Sequence, residues 1–241
     1  IRKKFRKTIW CRFVKAVKDY ELVKPGDRIA VCISGGKDSM LMAKCFQELK
    51  LHNKFDFEVK FVVMDPGYSP ENRKVIEDNA KSLHIPITSF ETDIFDSVYH
   101  VENSPCYLCA RMRRGHLYHF AQQLGCNKIA LGHHFDDAVE TFLMSLLFEG
   151  RLSCFRPVTF MDRSGVTQIR PLIYAGEQKI MNLADSLDIP IVENPCPQDK
   201  ASKRYEIKQL IKTLSATYPD MKSKVFGAMQ RLPLPGWGIE S

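Results

Sequence analysis

The feature that most constrains this sequence is a strand-like run that breaks into two glycines and continues as a helix. The run IAVCI (residues 29–33) is followed by SGGKDS (residues 34–39) and then by a helical-looking apolar segment. Adjacent glycines permit unusual backbone angles and let main-chain N–H groups approach a ligand closely. The following helix directs its N-terminus to the same place. The segment therefore predicts an anion site, with a strand-to-helix turn capped by Asp38 or Ser39 as the alternative.

Strand-like and helix-like segments alternate along the chain. Apolar runs of strand length lie at 28–33, 57–64, 85–90 and 128–132. Segments with helical spacing include Glu71–Leu83, Leu108–Leu124 and Ala138–Phe148. This alternation predicts an α/β fold with a parallel sheet and helices on both faces. We expect a basic N-terminal helix in residues 1–20, a main domain in 21–195, and a C-terminal helical extension and tail in 196–241.

The distribution of charge indicates a polyanionic partner. The chain of 241 residues carries 35 basic and 28 acidic side chains, a formal charge of +7. The basic residues concentrate at the N-terminus, after residue 110, and between residues 200 and 212, which favours a partner such as RNA. The basic N-terminal segment also carries an apolar stripe, Phe5, Ile9, Trp10 and Phe13, which its own domain or a second subunit must cover.

Composition argues against membrane insertion and against a disulfide scaffold. No segment approaches the roughly 18 uninterrupted apolar residues that a membrane-spanning helix needs. Eight cysteines are too few for a disulfide framework in a chain of this length, and five of them (Cys11, Cys32, Cys45, Cys126 and Cys154) have apolar neighbours in the sequence. We therefore expect a reduced, cytoplasmic protein.

Three motifs together resemble one known family. The spacing of SGGKDS does not fit the ordinary P-loop or the dinucleotide-binding turn. It resembles the PP-loop of the ATP pyrophosphatase superfamily, whose members cleave ATP between the α and β phosphates. The segment ALGHHFDDAVET (130–141) resembles the signature of the tRNA-modifying members, and PCYLCARMRRG (105–115) resembles a segment of the 2-thiocytidine-forming tRNA sulfurtransferases. The resemblance covers residues from about 20 to 215.

The resemblance implies a nucleotide site with defined residues. Those expected to bind ATP are Ser34, Gly35, Gly36, Lys37, Asp38, Ser39, Met64, Asp65, Gly132 and His133. Those expected to take part in catalysis are Asp38, Arg113 and Asp137. Asp136 and Asp137 are expected to help position Mg²⁺, although helix capping by one of the pair is the simpler alternative. For Arg113 the alternative is contact with the RNA backbone alone.

The cysteines distinguish between branches of the superfamily. Cys106 and Cys109 have CxxC spacing, and Cys196 stands between two prolines where the thiocytidine family places a third cluster ligand. The resemblance thus implies a [4Fe–4S] cluster held by three thiolates, with one iron open to carry sulfide. Structural zinc with a histidine such as His100 or His116, or a persulfide on Cys109 or Cys196, stays open as an alternative.

The implied activity is ATP-dependent thiolation of a tRNA base, namely C2 of an anticodon-loop cytidine, with AMP and pyrophosphate as products. The expected partners are tRNA and a sulfur donor system, either a cysteine desulfurase or sulfide. A homodimer is one expected assembly, and no membrane partner is expected. The alternatives are a tRNA lysidine synthetase-like ligase, another PP-loop sulfurtransferase, and an RNA-binding module without enzymatic activity.

Overall fold

A six-stranded sheet organises the computed structural model, which describes residues 1–52, 55–99, 101, 105–187, 190 and 202–231. Its strands are β1 (Arg28–Ile33), β2 (Glu58–Asp65), β3 (Ile87–Glu91), β4 (Lys128–Ala130), β5 (Val158–Met161) and β6 (Val166–Ile169). They lie in the order β3-β2-β1-β4-β6-β5. All neighbours run parallel except β5, which is antiparallel to β6. The predicted parallel α/β fold with helices on both faces is confirmed.

Helices connect and flank these strands. In the described residues they are α1 (Cys11–Asp19), α2 (Lys37–His52), α3 (Pro70–Ser82), α4 (Ile94–Tyr99), α5 (Pro105–Gln123), α6 (Phe135–Glu149), α7 (Glu177–Asp185), α8 (Lys203–Thr217) and α9 (Met221–Gln230). A π-helical turn at Arg6–Trp10 leads into α1. Serine side chains cap the N-termini of two helices. At α3, Ser69 accepts a hydrogen bond from the backbone N–H of Asn72, and Pro70 is the first helical residue; at α8, Ser202 accepts one from the backbone N–H of Tyr205.

The strand order places the functional loops at one edge of the sheet. β1 lies in the middle, with Val31 opposite Phe61 of β2 and Ala30 opposite Ile129 of β4. The chain leaves β1 towards β2 and β3, then returns to place β4 on the other side of β1. Because the strands are parallel, the loops after β1, β2, β4 and β6 leave from the same edge. The reversal between β1 and β4 is where open α/β sheets bind ligands.

The N-terminal segment packs on the chain's own domain. Ile9, Phe13 and Ala16 are fully buried, and the Phe13 ring meets the Phe46 ring of α2 edge-on at 5.5 Å between centroids. Ile9 and Phe13 of the apolar stripe are therefore covered within the chain itself, and Phe5 and Trp10 are half-buried. The basic side chains of the same segment stay exposed on the opposite side.

Residue contacts divide the chain into two units. The first comprises Ile1–His134 and Arg156–Cys196 and contains the sheet; the second comprises Phe135–Phe155 and Pro197–Ser241 and contains α6, α8 and α9. In the second unit Phe135 of α6 packs against Phe226 of α9 with ring centroids 4.9 Å apart. The three segments that the sequence suggests, with boundaries at residues 20 and 195, stay a prediction. None of the helices in the described part of the chain has the length and hydrophobicity of a membrane crossing.

Candidate active site

The glycine loop after β1, residues 34–39, is hydrogen-bonded to the first turn of α2. Gly35 has a φ of +80°, a left-handed conformation that favours glycine. Ser39 Oγ accepts a hydrogen bond from the backbone N–H of Ser34 at 3.1 Å and donates one to the carbonyl of Gly36 at 2.9 Å. The buried Ser39 hydroxyl therefore holds the loop in shape from inside. Sequence reasoning assigned Ser39 to nucleotide binding, and the structure adds this internal role.

The loop after β4 packs directly against the glycine loop. A Cβ atom added at Gly132 would lie 3.3 Å from the backbone nitrogen of Ser39 and 3.5 Å from the carbonyl carbon of Asp38. A side chain at this position would push against the first turn of α2. The next residues, His133 and His134, are half-buried and buried, and His134 Nε2 lies 3.8 Å from Asp38 Oδ1. Two segments predicted to bind nucleotide, around Asp38 and around Gly132, therefore meet.

Lys37 lies between two carboxylates. Its Nζ is 3.3 Å from Asp38 Oδ2 and 3.2 Å from Oε1 of Glu177, the first residue of α7. Burial lowers the pKa of Lys37, but the two carboxylates outweigh burial, and the pKa of the ammonium lies above its ordinary value. Lys37 is therefore a permanent cation in the loop. Sequence reasoning missed Glu177, although an acidic residue at a helix start after a parallel strand was an available signal.

The end of β2 is held by an acidic residue. Asp65 Oδ1 accepts hydrogen bonds from the backbone N–H groups of Gly67 at 2.8 Å and Tyr68 at 2.6 Å, and Oδ2 lies 2.5 Å from Arg73 Nε. The carboxylate thus fixes the turn that follows the strand. Met64, beside it, is buried in an apolar cluster. The nucleotide contacts assigned to Met64 and Asp65 stay predictions.

Tyr68 connects the glycine loop with the start of α5. Its hydroxyl donates a hydrogen bond to the carbonyl of Ser34 at 3.3 Å. Burial raises the pKa of Tyr68, Arg113 opposes this shift, and Asp65 and Cys109 add to it. The Tyr68 ring also packs edge-on against Phe95, with centroids 6.2 Å apart, and the Arg113 guanidinium lies over the same Phe95 ring. Cys109 packs against Met64 at the end of β2. The predicted catalytic arginine and one predicted cluster ligand are therefore brought to the same edge of the sheet as the loop.

Cys109 and Arg113 are held by apolar contacts. Cys109 is half-buried against Met64, Ile94 and Val98, and its thiol forms no disulfide. The Arg113 guanidinium carbon lies 5.6 Å from the centre of the Phe95 ring. The side chain of Cys106 and all of Cys196 lie outside the described residues, and within the described part no group of three metal-ligating side chains occurs. The cluster prediction therefore stays a prediction.

In the second unit, the acidic signature on α6 is matched by cations from α8 and α9. Lys222 Nζ lies 2.7 Å from Asp136 Oδ1. Arg204 lies 3.2 Å from Asp137, 3.5 Å from Glu140 and 3.3 Å from the Thr141 hydroxyl. A second cation, Lys208, lies 3.8 Å from Glu140. Part of the basic cluster between residues 200 and 212 thus contacts carboxylates of the chain itself.

Comparisons with known proteins agree with this geometry. Residues 6–214 match the family model described as a PP-loop domain. The tRNA-cytidine(32) 2-sulfurtransferase of Pelobacter propionicus is 37% identical over 223 residues, which cover 90% of this chain and 83% of that protein. The protein of the same name from Geobacter metallireducens is 38% identical over 221 residues, covering 89% and 86%.

Solved structures share the fold. A U34-tRNA thiolase from Methanococcus maripaludis, solved with its [4Fe-4S] cluster, has a TM-score of 0.77 at 21% identity and covers 95% of this chain and 79% of its own. NMN synthetase from Francisella tularensis has a TM-score of 0.51 at 15% identity, covering 99% of both chains. At these identities the likeness concerns the fold. From the family model and the relatives above 30% identity, the chain belongs to the PP-loop domain family and, within it, to the tRNA-cytidine(32) 2-sulfurtransferases.

Proposed function

We propose that this chain is an ATP-dependent tRNA sulfurtransferase that thiolates C2 of the cytidine at position 32, the base in its relatives' names. The observation that carries the proposal is a juxtaposition at one sheet edge. The glycine loop, with Lys37, is joined through Tyr68 and Phe95 to Arg113, and Cys109 packs against Met64 at the end of β2. A phosphate-binding loop and a cysteine-bearing helix meet there, as adenylation followed by sulfur transfer requires.

The first step of the proposed reaction activates the base. The C2 oxygen of the cytidine attacks the α-phosphorus of ATP, an O–P bond forms, and the bond to the β-phosphate breaks to release pyrophosphate. Negative charge grows on the leaving group, and positioned donors stabilise it. We assign this task to Lys37, Ser34 and the backbone N–H groups of Gly35, Gly36 and Ser39. Met64, Asp65, Gly132 and His133 are assigned to the rest of the nucleotide.

The second step exchanges oxygen for sulfur at C2. A sulfur nucleophile forms a C–S bond, the C–O bond breaks, and AMP leaves with the oxygen. Arg113 is assigned to the negative charge of the adenylated oxygen or the α-phosphate. The cation–π contact with Phe95 supports this assignment because it orients the guanidinium.

The proposed metal groups have suitable donors. For Mg²⁺ we assign the carboxylates of Asp136 and Asp137, whose oxygens are the hard donors that this ion prefers. Asp38, in the first unit, is assigned either to Mg²⁺ or to a structural hydrogen bond. For the [4Fe–4S] cluster, the described donor is Cys109, a half-buried thiol outside any disulfide, and Cys106 and Cys196 complete the proposed set. Held by these three thiolates, such a cluster would supply an iron site that can take up sulfide for transfer to the base.

The remaining assignments concern the setting of the enzyme. We assign tRNA to the exposed basic residues of the N-terminal segment and to Arg111 and Arg114. We propose that the sulfur comes from a cysteine desulfurase or from sulfide. We also propose that the protein acts in the cytoplasm and assembles as a homodimer.

The test uses anaerobically purified protein with ATP, Mg²⁺, sulfide and unmodified tRNA. The expected result is pyrophosphate release that depends on tRNA, together with a 2-thiocytidine nucleoside found by mass spectrometry. The Cys196→Ala variant is expected to bind ATP normally and to lose thiolation. Release of pyrophosphate with lysine incorporated into tRNA would indicate a lysidine synthetase-like ligase instead. Stoichiometric zinc without iron, or full thiolation by Cys196→Ala, would contradict the cluster.

A further inference from the structure

The ion pair between Lys37 and Glu177 joins two distant parts of the sequence at the glycine loop. The two residues are 140 positions apart. Lys37 opens α2 directly after the loop, and Glu177 opens α7 behind Gly176, which has an extended backbone. The side chains are 17% and 30% exposed, so the pair is shielded from water much more than an ordinary surface ion pair.

The stem of Lys37 limits where its ammonium can point. It lines a small apolar cavity between α2 and α7, together with Met40, Leu41, Ile180 and Leu183. The Lys37 side chain is only 17% exposed, so it has few alternative paths. The ammonium that meets Glu177 is thus the same group that must meet a phosphate at the glycine loop.

The Lys37 ammonium already has carboxylate partners when an anion approaches. It contacts both Asp38 and Glu177. Asp38 belongs to the loop motif itself, whereas Glu177 enters from another element. A phosphate that binds the ammonium must therefore displace Glu177 or share the ammonium with it. The free energy of this exchange lowers the apparent affinity of the loop for the phosphate.

Building on the proposed binding of ATP at this loop, we propose that Glu177 is a positioning residue that competes with nucleotide phosphates for the Lys37 ammonium. This competition weakens the hold of the loop on both ATP and the departing pyrophosphate. Glu177 thereby promotes product release, because it accepts the ammonium as pyrophosphate leaves. It contacts neither the base nor the reacting phosphorus and acts through Lys37.

The test is equilibrium binding of MgATP and of magnesium pyrophosphate to the full chain, with a Glu177→Gln variant. The change keeps the size of the side chain and removes its charge. We expect binding of both ligands to tighten roughly three- to tenfold, as removing a partly shielded ion pair predicts. Pre-steady-state measurement should also show slower pyrophosphate release, so that KM and kcat fall together.

A matched control separates this effect from a general one. Glu71→Gln removes an exposed carboxylate from the first turn of another helix, α3, and is expected to leave both affinities unchanged. In a Lys37→Met background, Glu177→Gln should have no further effect, because the competition requires the ammonium. Tightening that persists there would mean direct repulsion, and unchanged or weaker binding by Glu177→Gln alone would likewise overturn the inference. If the wild-type chain bound neither ligand, the proposed function would fail together with it.

Discussion

At the residue scale, close packing rather than charge decides what position 132 can hold. Gly132 has an ordinary φ, so its requirement for glycine comes from the backbone of Ser39 only 3.3 Å from a built Cβ atom. A side chain there would displace the first turn of α2, which carries Lys37 and the loop. We therefore expect Gly132→Ala to destabilise the fold by about 1–3 kcal/mol, as overpacked sites do, and to weaken ATP binding.

Gly115→Ala is the matched control for this prediction. Gly115 lies inside α5, and a Cβ atom there meets nothing within 4 Å. Alanine is a better helix former than glycine by about 1 kcal/mol, so this variant should be slightly more stable and bind ATP normally. Urea unfolding and ATP titration of both variants provide the measurement. Equal stability of the two variants would show that the loop after β4 can move away from α2.

Buried and exposed cysteines of this chain are expected to differ in reactivity. Cys45 is completely buried, and burial raises the pKa of its thiol far above the ordinary value, so it stays protonated at neutral pH. Cys11 has apolar sequence neighbours as well but lies on the exposed side of α1. Alkylation of the native protein at pH 8, read out by peptide mass spectrometry, should modify Cys11 and leave Cys45 unmodified. Rapid modification of Cys45 would indicate that α2 opens readily.

At the scale of elements, local patterns located the first four strands and the helices that begin near their ends. The glycine loop and the first turn of α2 are contiguous in sequence, so their pattern was visible. The pairing of Lys37 with Glu177 depends on which strand neighbours which, and no local pattern records that order. The edge strand β5 was missed; at the edge of the sheet none of its residues is fully buried, so it is not a core strand. Its signal was the turn before β6, where Gly165 has a φ of +62°.

Within the second unit, part of the basic cluster between residues 200 and 212 contacts acidic side chains of the chain itself. Arg204 serves Asp137, Glu140 and Thr141 at once, and the Glu140 side chain is only 4% exposed. Arg204→Met would leave these acceptors short of a donor and should destabilise the protein by about 1–3 kcal/mol. Lys212→Met, which removes an exposed charge from the same helix, should leave stability unchanged. Urea unfolding measures both, and equal behaviour would mean that Arg204 is a surface charge.

At the scale of the whole molecule, the formal net charge is +7, and part of the basic charge lies exposed together on the N-terminal segment. Ile9 and Phe13 of the N-terminal segment are buried within the chain, and its lysines and arginines are exposed. Deleting residues 1–18 would expose Phe46. The effect of the lost charges on tRNA binding could then not be separated from the effect of the lost packing. Exposed charges must therefore be changed singly, with the apolar residues intact.

The last prediction uses Lys3→Gln with Lys7→Gln, two exposed positions in the N-terminal segment. Each lysine that contacts an RNA phosphate releases counterions on binding, and losing both should reduce the slope of log K against log salt by about 1–2. Binding of ATP and stability should not change, because neither side chain is buried. The control is Lys74→Gln with Lys81→Gln, exposed on α3, which lowers the net charge equally. Titration of tRNA at several salt concentrations distinguishes the pairs: if both lower the slope alike, net charge rather than the N-terminal surface governs tRNA binding.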